Sequence, residues 1–316
     1  MGITKFPAGI SSQGVPVIGG SYYTTGTVFF VDSTTGSNGN SGTDKDHPFS
    51  TIDYAVGRCT ANKGDVIIVM PNHTETVTEA GGLDLDVEGI TIVGLGDKSD
   101  RPLITLTTAT TADIDVDAAD ITLKNFRIDL TGIDAIACGL DVNTAGFTLD
   151  GCDIEVDDTA GQSKMAIDVA GVDDVTIKNC YFHGIGASAH GPVCTQAINV
   201  SATGCDRLSI EDNTFMGWFT TSIVSATKTC DAILVQRNTF VNYSDTGALC
   251  IDLGSTTTDV TGCIANNSYI VGSTGTLTTI LAGGQYGKCG SIENYATALG
   301  AGVSGMICPE AIEPSS

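Results

Sequence analysis

Six segments of this chain align without gaps: "ITLKNFRI" (121–128), "FTLDGCDI" (147–154), "VTIKNCYF" (175–182), "LSIEDNTF" (208–215), "ILVQRNTF" (233–240) and "GCIANNSY" (262–269). They recur at intervals of 26, 28, 33, 25 and 29 residues. "ITIVGLGD" (90–97) extends the series backward and "GSIENYAT" (290–297) extends it forward. Each reads apolar-x-apolar-x-turn-x-x-apolar. The turn position holds Gly94, Asn125, Gly151, Asn179, Asp212, Arg237, Asn266 and Asn294. All but the arginine are residue types that enter a left-handed backbone at low cost.

A second short segment recurs between these: "DIDV" (113–116), "GLDV" (139–142), "AIDV" (166–169), "AINV" (197–200) and "CIDL" (250–253). Period-two alternation sends Ile, Leu and Val to one face and Asp or Asn to the other. Each repeat therefore supplies two or three short strands and sharp turns, with no helix between them. A repeat of this length means stacked coils. The L-x-x-L-x-L-x-x-N frame of leucine-rich repeats is missing, and a propeller blade needs about forty residues. The reading that remains is all-β: a right-handed parallel β-helix of about eight coils, roughly 40 Å long at ~4.8 Å per coil. Its buried column is predicted to be Leu123, Leu149, Ile177, Ile210, Val235 and Ile264. A second inward column holds Ile128, Ile154, Phe182, Phe215 and Phe240.

An open solenoid end exposes strand edges and core side chains, so it needs a cap. "TVFFVDS" and "GDVIIVM" read as strands flanking "PFSTIDYAVGRC", where Ser50 is placed to cap a short helix carrying Ile52, Ala55 and Val56. The divisions expected are an N-terminal arm (1–27), cap and first coil (28–82), parallel β-helix (83–297) and a C-terminal tail (298–316).

Charge narrows the partners. The chain has 37 acidic and 14 basic residues, for a net charge of −23. Nucleic acid and anionic membrane are the wrong sign for it. No apolar h-region opens the sequence and no stretch of eighteen apolar residues occurs, so neither an export signal nor a membrane span is expected. Eleven cysteines without a C-x-x-C then read as buried thiols in a reducing cytoplasm.

"NCYFHGIGASAHGPVC" (179–194) places Cys180, His183, His190 and Cys194 within fifteen residues, which resembles a zinc set. Register argues against it. Cys180 shares an inward column with Phe126, Cys152, Asn213 and Asn238, whereas alternation turns His183 outward, and structural zinc takes convergent ligands. The outward carboxylates Asp115, Asp141 and Asp168 occupy equivalent places in consecutive coils. They are weak candidates for a bridging cation such as calcium, the alternative being solvated carboxylates with raised pKa values. No cofactor is implied.

The block from "FVD" through "PFSTIDYAV" to "GDVIIVMP" resembles the opening of pectate-lyase-like β-helix proteins, which implies that fold and leaves function open. Pectin lyases of that fold use calcium and a basic residue. This chain has five arginines (Arg58, Arg101, Arg127, Arg207, Arg237) and a surface of the wrong sign for a polyanionic sugar. The N-T-D, D-D, G-H-G and R-I-K set of polygalacturonases is not met, and Trp218 is the one tryptophan. No catalytic residue is assigned. "MGITKFPAGISSQGVPVIGG" (1–20), read alone, is a flexible arm. It is similar to the opening of tailed-bacteriophage structural proteins of the type "MGIT-x-FP-x-G-[IV]-x-S-x-G-[IV]-P-V". That resemblance implies a virion component made in the host bacterial cytoplasm. The expected role is non-catalytic: a capsid decoration (cement) protein on the capsid exterior, a homotrimer bound to the major capsid protein. Its anchor would be the arm residues Ile3, Phe6, Pro7, Ile10, Val15, Pro16 and Val17. The runner-up is a phage tailspike or receptor-binding protein that binds or cleaves host polysaccharide, and a third reading is a free bacterial polysaccharide lyase.

Overall fold

The computed structural model describes residues 24–156, 164–184, 194–202, 204–226, 228–244, 249–253 and 260–270. It gives strand backbone alone at 11–12, 15–18, 22–23, 157, 271, 281–282, 289–292, 294–298 and 303–307. The strands stack into three long sheets. Sheet I has eight strands and passes through Ile114–Val116; sheet II has ten and passes through Thr122–Lys124; sheet III has ten and passes through Arg127–Asp129. Successive coils pair in parallel, in the register that the repeats predict. Leu123, Leu149, Ile177, Ile210, Val235 and Ile264 are direct partners down sheet II and are 0–1% exposed.

The corner between sheets II and III is two residues long because its first residue is left-handed. Asn125, Gly151, Asn179, Asp212, Arg237 and Asn266 all have φ between 55° and 67°. Gly94 does not follow. It ends the strand Thr91–Gly94, and its coil turns the corner through a longer loop with a 3-10 turn at Lys98–Asp100 and left-handed Gly96 and Lys98. The forward extension also shifts by one: Cys263 pairs with Gly290, so Asn294 begins a strand, Asn294–Ala298, instead of a turn. Sheet I has three rungs beyond those the repeats predict, Leu83–Leu85, Ser222–Ser225 and Leu281–Ala282.

Two inward columns hold the coils in line. Phe182, Phe215, Phe240 and Tyr269 stack with ring centroids 4.7, 5.0 and 5.2 Å apart. Beside them Asn213, Asn238 and Asn267 form a buried ladder. The Asn238 and Asn267 Oδ1 atoms accept the backbone N–H of Asn213 (2.9 Å) and Asn238 (2.8 Å), and the Asn238 Nδ2 donates to the Ile210 carbonyl at 2.8 Å. Buried amides are tolerable only when paired in this way.

The N-terminal end is covered as expected, with one correction. Helix Ile52–Val56 buries Ile52, Ala55 and Val56 and packs on the strands Val28–Val31, Val66–Val69 and Leu83–Leu85. Its cap is Thr51, whose side chain accepts from the Tyr54 N–H at 3.3 Å. Ser50 is engaged elsewhere, donating its N–H and hydroxyl to Asn38 Oδ1 at 3.0 and 2.8 Å. The first helical N–H, on Ile52, goes to Glu75 Oε2 at 2.9 Å, which also meets Nε2 of the fully buried His73 at 2.9 Å.

Both ends of the chain carry more secondary structure than an arm and a tail imply. Ile3, Phe6, Pro7 and Ile10 lie outside the described residues, but Val15, Pro16 and Val17 lie in a strand, Val15–Ile18. It pairs antiparallel with Ser11–Ser12 and Tyr22–Tyr23 in a three-stranded sheet of its own. Residues 303–307, expected in a tail, form Val303–Ile307, which pairs antiparallel with Asn294–Ala298 on the edge of sheet III.

Candidate functional site

The outward row of sheet I stacks carboxyl groups from consecutive coils. Asp115 pairs with Asp141 and Asp141 with Asp168, as expected, and Asp84 adds a rung before them. Asn199 follows and donates its Nδ2 to Asp168 Oδ1 at 2.8 Å. Partial burial, then Asp113, Asp117, Asp141 and Asp84, pushes the Asp115 carboxyl up to about 6. Burial followed by Asp86 raises Asp84, and burial followed by Asp168 raises Asp141. The Oδ1 atoms of Asp84 and Asp141 are sheltered and have no hydrogen-bond partner among the described residues. The carboxylates stack in parallel down the row, and among the described residues no three or more His, Cys, Asp and Glu are grouped to hold a metal ion. What the row offers is a carboxyl with a pKa of about 6 beside other carboxyls, the arrangement general acid–base chemistry uses.

The zinc-like stretch separates as register requires. Cys180 is 2% exposed and gives its thiol to the Lys178 carbonyl at 3.1 Å. Its neighbour in the adjacent coil is Cys152, also buried. His183 faces outward on sheet III, with Nε2 2.9 Å from Asp153 Oδ1 and its ring stacked on Tyr181 at 4.9 Å. Burial lowers the His183 pKa, but the Asp153 hydrogen bond and charge win and leave it raised. Cys194 is buried in another corner, its thiol 3.1 Å from the Gln196 carbonyl, and His190 lies outside the described residues. The His183–Asp153 pair escapes a reading of the sequence because the two residues are thirty positions apart. Aligning "DIEV" with "YFHG" in the repeat is the signal that finds it.

Elsewhere, outward polar groups are joined from coil to coil. Arg207 meets Asp173 and Asp174, Arg237 meets Glu211 and Asp212, and Lys124 meets Asp150.

The family model described as right handed beta helix region matches residues 114–283, more than half of the chain. This chain belongs to the right-handed β-helix family. Its hand and its stacked coils are those of that family. No curated protein matches it. Among solved structures it is similar to the pectin methylesterase from Aspergillus niger, at 15% identity and a TM-score of 0.55, covering 87% of this chain and 86% of that one. A rhamnogalacturonan lyase aligns at 13% identity and TM-score 0.47, over 78% of this chain and 74% of that one. Pectate lyase Pel9A aligns at 12% identity and TM-score 0.48, over 78% of this chain and 64% of the other. At these identities the likeness is one of fold, which β-helix proteins of different function share.

Proposed function

We propose that this β-helix is a non-catalytic structural rod of a tailed-phage virion, a capsid decoration protein fastened to the major capsid protein by its N-terminal segment. The observation that carries the reading is where the outward polar groups go. Arg207, Arg237 and Asn199 each bind an acid of a neighbouring coil, so these groups stiffen the stack instead of converging on a substrate. The resemblance of residues 1–20 to phage structural proteins supplies the setting. Trimers at capsid threefold positions would spread the acidic rods over the outer surface, where the net charge of −23 favours solubility.

One observation favours a second reading, a tailspike that cleaves host polysaccharide. Asp115, with a pKa of about 6, lies beside Asp141 and has the character of a proton donor.

The test is to add purified protein, intact or lacking residues 2–20, to heads of the parent phage that lack it. The intact chain should decorate and the truncated chain should not. Full decoration by the truncated chain removes the anchor. If the intact protein instead releases new sugar ends from host polysaccharide, and Asp115→Asn abolishes this, the rod is catalytic.

A further inference from the structure

At the corner between sheets II and III the early coils leave a cleft of about 360 Å3. The turn residues Asn125, Gly151 and Asn179 of three consecutive coils border it, together with Arg101, Lys124 and Asp150. The space exists because the middle turn lacks a side chain. A Cβ added to Gly151 would meet nothing within 4 Å, whereas the coils on either side carry asparagine at the same place.

The charge lining the cleft is opposite in sign to that of the chain as a whole. Lys124 Nζ meets Asp150 Oδ2 at 2.8 Å, and Asn179 Nδ2 donates to Asp150 Oδ1 at 2.8 Å. Burial works against ionisation of Asp150, but these two hydrogen bonds win and hold its pKa below the ordinary range. Two cations against one carboxylate leave the cleft net positive on a chain of net charge −23. Arg101 spends Nη1 on the Gly151 carbonyl at 3.3 Å, but its Nε–H is sheltered from solvent and has no acceptor among the described residues. A sheltered donor without an acceptor calls for a ligand or ordered water. A guanidinium edge fits the paired oxygens of a carboxylate or phosphate. Leu95, 37% exposed, lines the same cleft and offers an apolar contact to whatever carries the anion.

We infer that this cleft binds a small oxyanion, with Arg101 as its direct ligand and Lys124 as the supporting charge. The site lies away from the sheet I carboxylates, so it holds whether or not the rod is catalytic.

The full-length protein would be titrated with inorganic phosphate, acetate and glucuronate at constant ionic strength, following the arginine Nε–H signals by NMR and the heat of binding by calorimetry. One arginine signal should shift saturably, and it should vanish from the spectrum of Arg101→Gln. Gly151→Asn keeps the left-handed turn that asparagine adopts at 125 and 179 but fills the cleft, so it should weaken binding by about tenfold or more. This variant also keeps the inference testable if Arg101→Gln fails to fold. A preference for phosphate over the two carboxylates, or the reverse, identifies the source of the anion. The inference is overturned if none of the three anions gives a saturable shift, or if Gly151→Asn binds as tightly as the native chain.

Discussion

Replacing Asp115 with asparagine should stabilise the rod at neutral pH and leave it unchanged in acid. The side chain keeps its shape and loses one charge from a row in which Asp84 and Asp141 are its immediate neighbours. At the ~5 Å spacing of rungs each like-charge neighbour costs about 0.8 kcal/mol in bulk water, and physiological salt roughly halves that. The titration leads to the same scale. Folding holds the Asp115 proton to about pH 6, whereas the unfolded chain releases it near 3.8. Between those values the folded state binds more protons, so stability is fully present below the lower one and declines as pH rises to the upper one. The full interval between them would correspond to about 3 kcal/mol, but the side chain is only partly buried, and solvent screening reduces this to about 1 kcal/mol. Urea unfolding at pH 3.5 and pH 8 measures the difference. The variant should gain about 1 kcal/mol at pH 8, less in high salt, and nothing at pH 3.5. An equal gain at both pH values, or a loss at pH 8, would refute the electrostatic account of the row.

Three further outcomes are expected. Phe215→Ala removes the ring stacked between Phe182 and Phe240 and should cost about 3–5 kcal/mol in urea unfolding, whereas a cost below about 1 kcal/mol would mean that the stack is not tightly packed. Asp153→Asn should lower the His183 pKa as followed by NMR. The stability that this pair contributes is complete below the unfolded imidazole value of 6.5 and lost as pH rises through the raised folded value, so the variant's deficit should fade at alkaline pH. EDTA should leave the melting midpoint unchanged, because the sheet I carboxylates are not grouped as metal ligands, and a lowered midpoint would place a cation among Asp115, Asp141 and Asp168.

Where one coil repeats the next, the chain can be read directly. The sheet II column and the aromatic column follow from alternation plus a fixed turn, and six turn residues take the left-handed backbone at the corner. Where a coil departs from its neighbours, legibility fails. Gly94 aligns with the left-handed turns, but the loop after it runs through Lys98–Asp100 and leaves that glycine extended. The rung Ser222–Ser225 carries serine where its neighbours have Asp or Asn, so the polar marker is missing. Thr51 and Ser50 are chemically interchangeable as caps, and the contact with Asn38 that separates them is twelve residues away. The anion cleft is invisible in the sequence because Arg101 and Gly151 meet only after intervening coils have stacked.

The strand Val303–Ile307 runs against the direction of the coil strand it covers. Parallel ladders are templates: an uncovered last coil would offer the next molecule's first coil a matching edge, and rods could join head to tail into filaments. A reversed final strand breaks that match on sheet III while satisfying the backbone beneath it. Growth of a filament by edge pairing on that sheet is thereby disfavoured, because the exposed strand no longer runs in the direction a following coil would need.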